Sequence, residues 1–115
     1  MPTVAEMVQQ LALQVVTQKA GTGAPVTGGY ASDLLSCVMA RAQAGNVWVT
    51  LQAHPNVVAV ASLLNLACVI VTEGTPIEPP TIAKADEVGI PVASTPLTTY
   101  AVVERLHDLG IRAVG

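Results

Sequence analysis

Three apolar runs in the sequence each stop at a small polar cluster: residues 47–51 run into Gln52, His54 and Asn56, residues 67–71 into Thr72, Glu73 and Gly74, and residues 90–93 into Ser94 and Thr95. An imidazole, a carboxylate, two amides and several hydroxyls at strand ends suit either acid–base work or the binding of a small anion. A general base needs a carboxylate to orient it and a nucleophile within reach; Asp33 and Glu73 are the candidate partners for His54. The simpler role for His54 is a helix cap beside Pro55, a proline in the first helical position, where its missing N–H costs nothing. Each cluster precedes a helix-like segment, and helix N-termini carry unpaired N–H groups that suit phosphate or carboxylate. Together the clusters predict an anion or nucleotide pocket on one rim.

The other chemically suggestive residues resolve to structural roles. Gly21, Gly23, Gly28 and Gly29 form no G-x-x-x-x-G-K-[ST] loop, since no Gly-Lys pair occurs, and no G-x-G-x-x-G opening a helix after a strand. Thr27-Gly28-Gly29 reads as a close backbone approach or a bulge, and is kept as a candidate for the binding set. A G-x-S-x-G nucleophile elbow is absent, as are paired carboxylates at helical spacing on a cleft face. Cys37 and Cys68 have neither CxxC spacing nor histidine partners, so reduced buried thiols are expected, with no metal and no cofactor.

The elements that must position the rim follow from periodicity and punctuation. Thr3 and Glu6 form a capping box for a helix with Val4, Met7, Val8 and Leu11 inward. A short strand is predicted over residues 13–17, a mobile polar segment over 18–25, and an extended segment over 26–30. Ser32 or Asp33 is expected to cap a helix running to about Ala42, closed by Gly45. Strand 47–51, helix 55–66, strand 67–71, helix 81–88, strand 90–93 and helix 98–109 follow, the last two helices closed by Gly89 and Gly110. Residues 111–114 read either as an edge strand or as a trailing segment. This alternation predicts an α/β fold, a three-layer α/β/α arrangement on a mostly parallel sheet, in which ligands bind outside the carboxyl ends of the strands.

Composition sets the outer limits. The 115 residues suffice for one domain with a core of its own, 51% are hydrophobic and only 11% charged, and Phe is absent. No Asp, Glu, Lys or Arg occurs between Ala42 and Thr72, but polar residues interrupt every run short of the roughly 18–20 apolar residues of a spanning helix. No basic region followed by an apolar stretch opens the chain, so a cytoplasmic protein is expected. A net charge of −3 offers no footprint for nucleic acid. So apolar a chain predicts a homo-oligomer, most simply a dimer, with helix 55–66, apolar nearly all round, at the interface.

The runs at 26–36 and 46–61, with the pieces at 67–74 and 89–95, strongly resemble the DRTGG domain over nearly the whole chain. The His54/Asn56 loop between a strand and an apolar helix is the most specific part. Thr27-Gly28-Gly29 matches the end of the family's name, Thr72-Glu73-Gly74 is a second near-match, and no Asp-Arg pair occurs. The resemblance implies the fold of the N-terminal domain of HPr kinase/phosphorylase. It also implies a regulatory or assembling role, since such domains are fused to phosphotransacetylases and to cobyrinic-acid-synthase-like ATPases, or lie between CBS domains in regulated pyrophosphatases. Freestanding copies occur among hydrogenase-related and redox-signalling genes, which suggests a protein partner there. The expected function is therefore a non-catalytic module binding a small anionic ligand, such as an adenine nucleotide or another phosphorylated metabolite. The alternatives are a structural oligomerisation or docking subunit and, more remotely, a small phosphate- or acyl-transfer enzyme using His54.

Overall fold

The computed structural model describes residues 1–114. Its elements are α1 (Val4–Leu11), β1 (Gln14–Val15), β2 (Gly28–Ala31), α2 (Leu35–Arg41), β3 (Asn46–Thr50), α3 (Pro55–Leu63), β4 (Cys68–Val71), α4 (Pro79–Val88), β5 (Val92–Ser94) and α5 (Thr99–Asp108). The strands form one sheet in the order β1-β5-β4-β3-β2, parallel except for β1, which runs antiparallel to β5. The architecture is the three-layer α/β/α sandwich on a mostly parallel sheet that the strand–helix alternation predicts.

The handedness of βαβ crossovers explains the layering. The strands β2 to β5 step across the sheet in one direction, and crossovers of one hand then put every connecting helix on one face. Accordingly Val38 of α2, Val57, Val58 and Ala61 of α3 and Ala85 of α4 pack with Trp48, Val69 and Val92. The alternate residues Val47, Val49, Cys68, Ile70 and Ala93 face the other way, onto Val4 and Met7 of α1 and Val102 and Leu106 of α5. Within the helix layer α3 lies between α2 and α4, with its densest contacts to α4. Its apolar surface is thus largely buried within the chain; Leu63 is its large exposed apolar side chain, 66% accessible.

Local signals set most boundaries. Thr3 accepts from Glu6 N at 3.2 Å and Glu6 Oε1 accepts from Thr3 N at 2.9 Å, closing the capping box of α1. Gly89 and Gly110 follow α4 and α5 with φ of +77° and +83°. Helix α4 begins at Pro79, two residues before the expected start, because Pro79 and Pro80 fill positions that need no N–H. Strand β5 starts two residues later than expected and ends one later. Ile90 N still bonds Ala85 O as part of the α4 terminus, and Pro91 precedes the pairing of Val92 with Val69. Residues 111–114 contribute one parallel bridge, Ala113 to Gly29.

The segment expected to be mobile, 18–25, is tied down. Val4 N and Ala5 N bond Ala24 O and Thr22 O at 2.9 Å each. The Asp86 carboxylate accepts from the successive amides of Gln18, Lys19 and Ala20 at 2.7–3.2 Å. These backbone hydrogen bonds, the Lys19 amide first, hold the Asp86 carboxyl below the usual range, against a smaller opposing effect of desolvation. A depressed carboxylate contributes stability that is present above its unfolded value, roughly 3.9 for aspartate, and lost as pH falls through the folded value. Chemical denaturation across a pH series is therefore expected to show a shallower acid-side loss for Asp86→Asn than for the parent chain. Identical slopes would mean that the three amides contribute nothing to the ionised form.

Burial alone pushes the Cys68 thiol up to about 12, so it stays protonated and serves as a small core residue. Cys37 is also free but only half-buried. Among the described residues no His, Cys, Asp and Glu side chains group to hold a metal, and no helix is long and apolar enough to cross a membrane.

Candidate functional site

At the carboxyl rim the connections after β4 and β5 part company. The chain after β4 leads to α4 on one face, whereas the chain after β5 leads to α5 on the other. Divergence of this kind between adjacent parallel strands creates the crevice in which α/β sheets bind ligands. Here the crevice is partly closed by the chain itself. Glu73 N bonds Leu97 O at 2.8 Å, Gly74 N bonds Thr95 O at 3.0 Å, and the Glu73 carboxylate accepts from Thr99 N at 2.8 Å. Glu73 adopts φ of +64° to do so, a left-handed conformation costing about 1–2 kcal/mol outside glycine.

The helix N-termini expected to receive an anion are likewise served from within. His54 Nδ1 accepts from Asn56 N at 3.0 Å, so the imidazole is the N-cap of α3. Helix α4 opens on two prolines. In α5, Thr98 Oγ accepts from Ala101 N at 3.1 Å and Glu73 covers Thr99 N. Neither Ser32 nor Asp33 is the N-cap of α2; that residue is Leu34, without a side-chain cap bond. Asp33 instead accepts from Thr50 Oγ at 2.8 Å and Leu51 N at 2.9 Å, and Gln52 Nε2 donates to Asp33 O. Both carboxylates considered as partners for His54 are therefore engaged elsewhere, and its Nδ1 is spent on a backbone amide.

The remaining candidates divide by position. Thr72 is buried, its hydroxyl 2.7 Å from that of Thr99, and Thr95 Oγ accepts from Leu97 N at 3.2 Å. Thr27, Gly28 and Gly29 stand at the opposite, amino end of the sheet, since Gly28 pairs with Asn46 at the start of β3. They form a close-packed junction there. Thr27 Oγ donates to Ala44 O at 3.0 Å, and a Cβ on Gly28 would come within 2.9 Å of Val114 Cγ1. Gly45, with φ of +82°, has room for no side chain beside Thr27: its Cβ would meet Thr27 Oγ1 at 2.7 Å.

Two cavities stand out. One, of about 430 Å³, opens at the carboxyl rim on the α4 face and joins Gly74, Ser94 and Thr95 of the expected set to Gln14, Thr75, Ile77 and Ile82. Gln14 lies directly opposite Ser94 in the β1–β5 pair, so both side chains share a face. Sequence reasoning missed Gln14 because its place depends on the antiparallel pairing of β1, a contact between residues 80 positions apart that no local pattern signals. The second cavity, about 340 Å³, is an apolar groove between the β2 edge and α5 that includes Tyr30, Val103 and Ile111.

Fold and rim define an α/β sandwich domain whose catalytic-looking polar residues are engaged in hydrogen bonds within the chain, and whose open cavity is lined by uncharged residues. The chain belongs to the DRTGG domain family, whose model matches residues 3–109. Among solved structures it is similar to that described as the CBS and DRTGG domains of the regulatory region of Clostridium perfringens pyrophosphatase, complexed with its activator, diadenosine tetraphosphate. The TM-score is 0.67 at 13% identity, over 87% of this chain and 44% of that one. This chain thus spans less than half of the solved regulatory region. No curated protein sequence matches it.

Proposed function

We propose that this DRTGG domain is a non-catalytic regulatory module that binds a small ligand in the rim cavity, and that the ligand is an adenine nucleotide. The observation that carries the proposal is a contrast among the rim's polar side chains. Asp33, Gln52, His54, Thr72, Glu73, Thr95 and Thr98 all spend hydrogen bonds on the chain itself. Among the described residues, the side chains of Gln14, Thr75 and Ser94 make none, and neither does that of Asn56, but only the first three line the same cavity. The cavity's size falls within the range of roughly 300–1,000 Å³ usual for small-molecule sites. Membership of the family supports a regulatory role, and the choice of an adenine nucleotide leans on the activator of the pyrophosphatase regulatory region.

A thermal-shift panel of nucleotides and phosphorylated metabolites tests the proposal, because binding to the native state raises the midpoint by mass action. A rise with adenine nucleotides that is lost in Gln14→Ala supports it. A panel with no rise, or a rise indifferent to Gln14 and Ser94, contradicts it.

A second reading, assembly through the β2 edge, is favoured by a different observation. Val103 is 40% exposed in the apolar groove, and Tyr100, on the same helix, is 84% exposed. On this reading Val103→Glu is expected to shift an oligomer to monomer in sedimentation velocity, while Leu63→Glu on α3 leaves it intact. The reverse pattern would return the interface to α3.

A further inference from the structure

We infer that the rim cavity recognises an uncharged heterocyclic ring, the nucleobase of its ligand, and leaves any phosphates outside in solvent. The inference rests on the function proposed above and reverses the part that sequence alone assigns to the anion. The lining contains no Lys, Arg, His, Asp or Glu, so nothing in it neutralises a phosphate. The adjacent α4 and α5 N-termini offer no substitute, one opening on Pro79 and Pro80 and the other carrying the Glu73 carboxylate. That carboxylate would repel a phosphate brought beside it.

What the cavity offers instead is apolar wall and neutral edge. Val16, Ile77 and Ile82 present hydrocarbon, against which the faces of a flat ring lose water favourably. The free groups are one carboxamide, on Gln14, and two hydroxyls, on Ser94 and Thr75. A glutamine carboxamide carries a donor and an acceptor side by side, the complement of the N6–H and N7 pair on adenine's edge. A hydroxyl can donate or accept, and so can serve a further ring nitrogen or amino group. Bases bound outside a duplex are held by this combination of edge hydrogen bonds and apolar packing.

The test is calorimetric titration of the intact chain with adenosine, AMP, ATP and sodium triphosphate at low and high salt. The expected result is adenosine binding within about threefold of AMP and ATP, no heat from triphosphate, and affinities that change less than about twofold with salt, because no phosphate contact is screened. Gln14→Leu is expected to weaken adenosine and ATP alike, by tenfold or more. Binding of ATP and triphosphate without adenosine, falling steeply with salt, would overturn the inference while leaving a ligand-binding module in place. Failure of all four probes would overturn the inference and the proposed function together.

Discussion

Trp48→Ala is expected to destabilise the protein by about 3–5 kcal/mol, the range for deleting a buried tryptophan or phenylalanine. Trp48 is the largest of the fully buried side chains, inaccessible to solvent at the centre of β3. It packs in the cluster that joins the sheet to α2, α3 and α4. Its indole Nε1 also donates to Ser32 O at 2.9 Å, so it fixes the chain leaving β2 just before Asp33. Truncation would therefore open a cavity and strip the Ser32 carbonyl of its donor. Since domains of this size are commonly stable by only about 5–15 kcal/mol, the variant is expected to sit close to unfolding. Trp48→Phe keeps most of the volume and removes the hydrogen bond, and a loss of about 1–2 kcal/mol is expected. Denaturant melts measure both; a Trp48→Ala loss under 1 kcal/mol would mean that β3 is not the packing centre.

Ile82→Trp is expected to reduce ligand affinity by at least tenfold, about 1.4 kcal/mol, while leaving the melting midpoint nearly unchanged. Ile82 is half-buried on α4 and lines the rim cavity rather than the sealed core. A larger ring there can project into open volume, so it meets the ligand's space instead of its own neighbours. Steric filling of the site should defeat adenosine and ATP equally. The combination to look for is a native far-UV spectrum and melt with lost binding in the same preparation. A variant that binds normally would move the site away from the α4 face.

Much of this architecture is legible from residues 47–71, where β-branched runs end in polar clusters and His54-Pro55 announces a helix start. The capping box at Thr3 is equally plain, because its signal is contained within four residues. What escaped the sequence depends on direction and pairing. Thr27-Gly28-Gly29 resembles a binding loop in composition, yet it opens a parallel strand instead of closing one, which puts it at the amino end of the sheet. Gln14 reads as an ordinary polar residue until β1 turns antiparallel beside Ser94. The carboxylates of Asp33 and Glu73 read as candidate partners for an imidazole, but each finds backbone amides nearer at hand. The all-round apolar surface of α3 is met largely by α2, α4 and the sheet, packing that the sequence pattern does not distinguish from a subunit interface.

The most direct measurement is backbone amide chemical-shift mapping of the labelled protein titrated with adenosine. Binding in the rim cavity is expected to move Gln14, Gly74, Thr75, Ile82 and Ser94 together, while the Tyr30, Val103 and Ile111 groove stays still. Perturbations confined to that groove, or to the His54 loop, would contradict the cavity as the regulatory site.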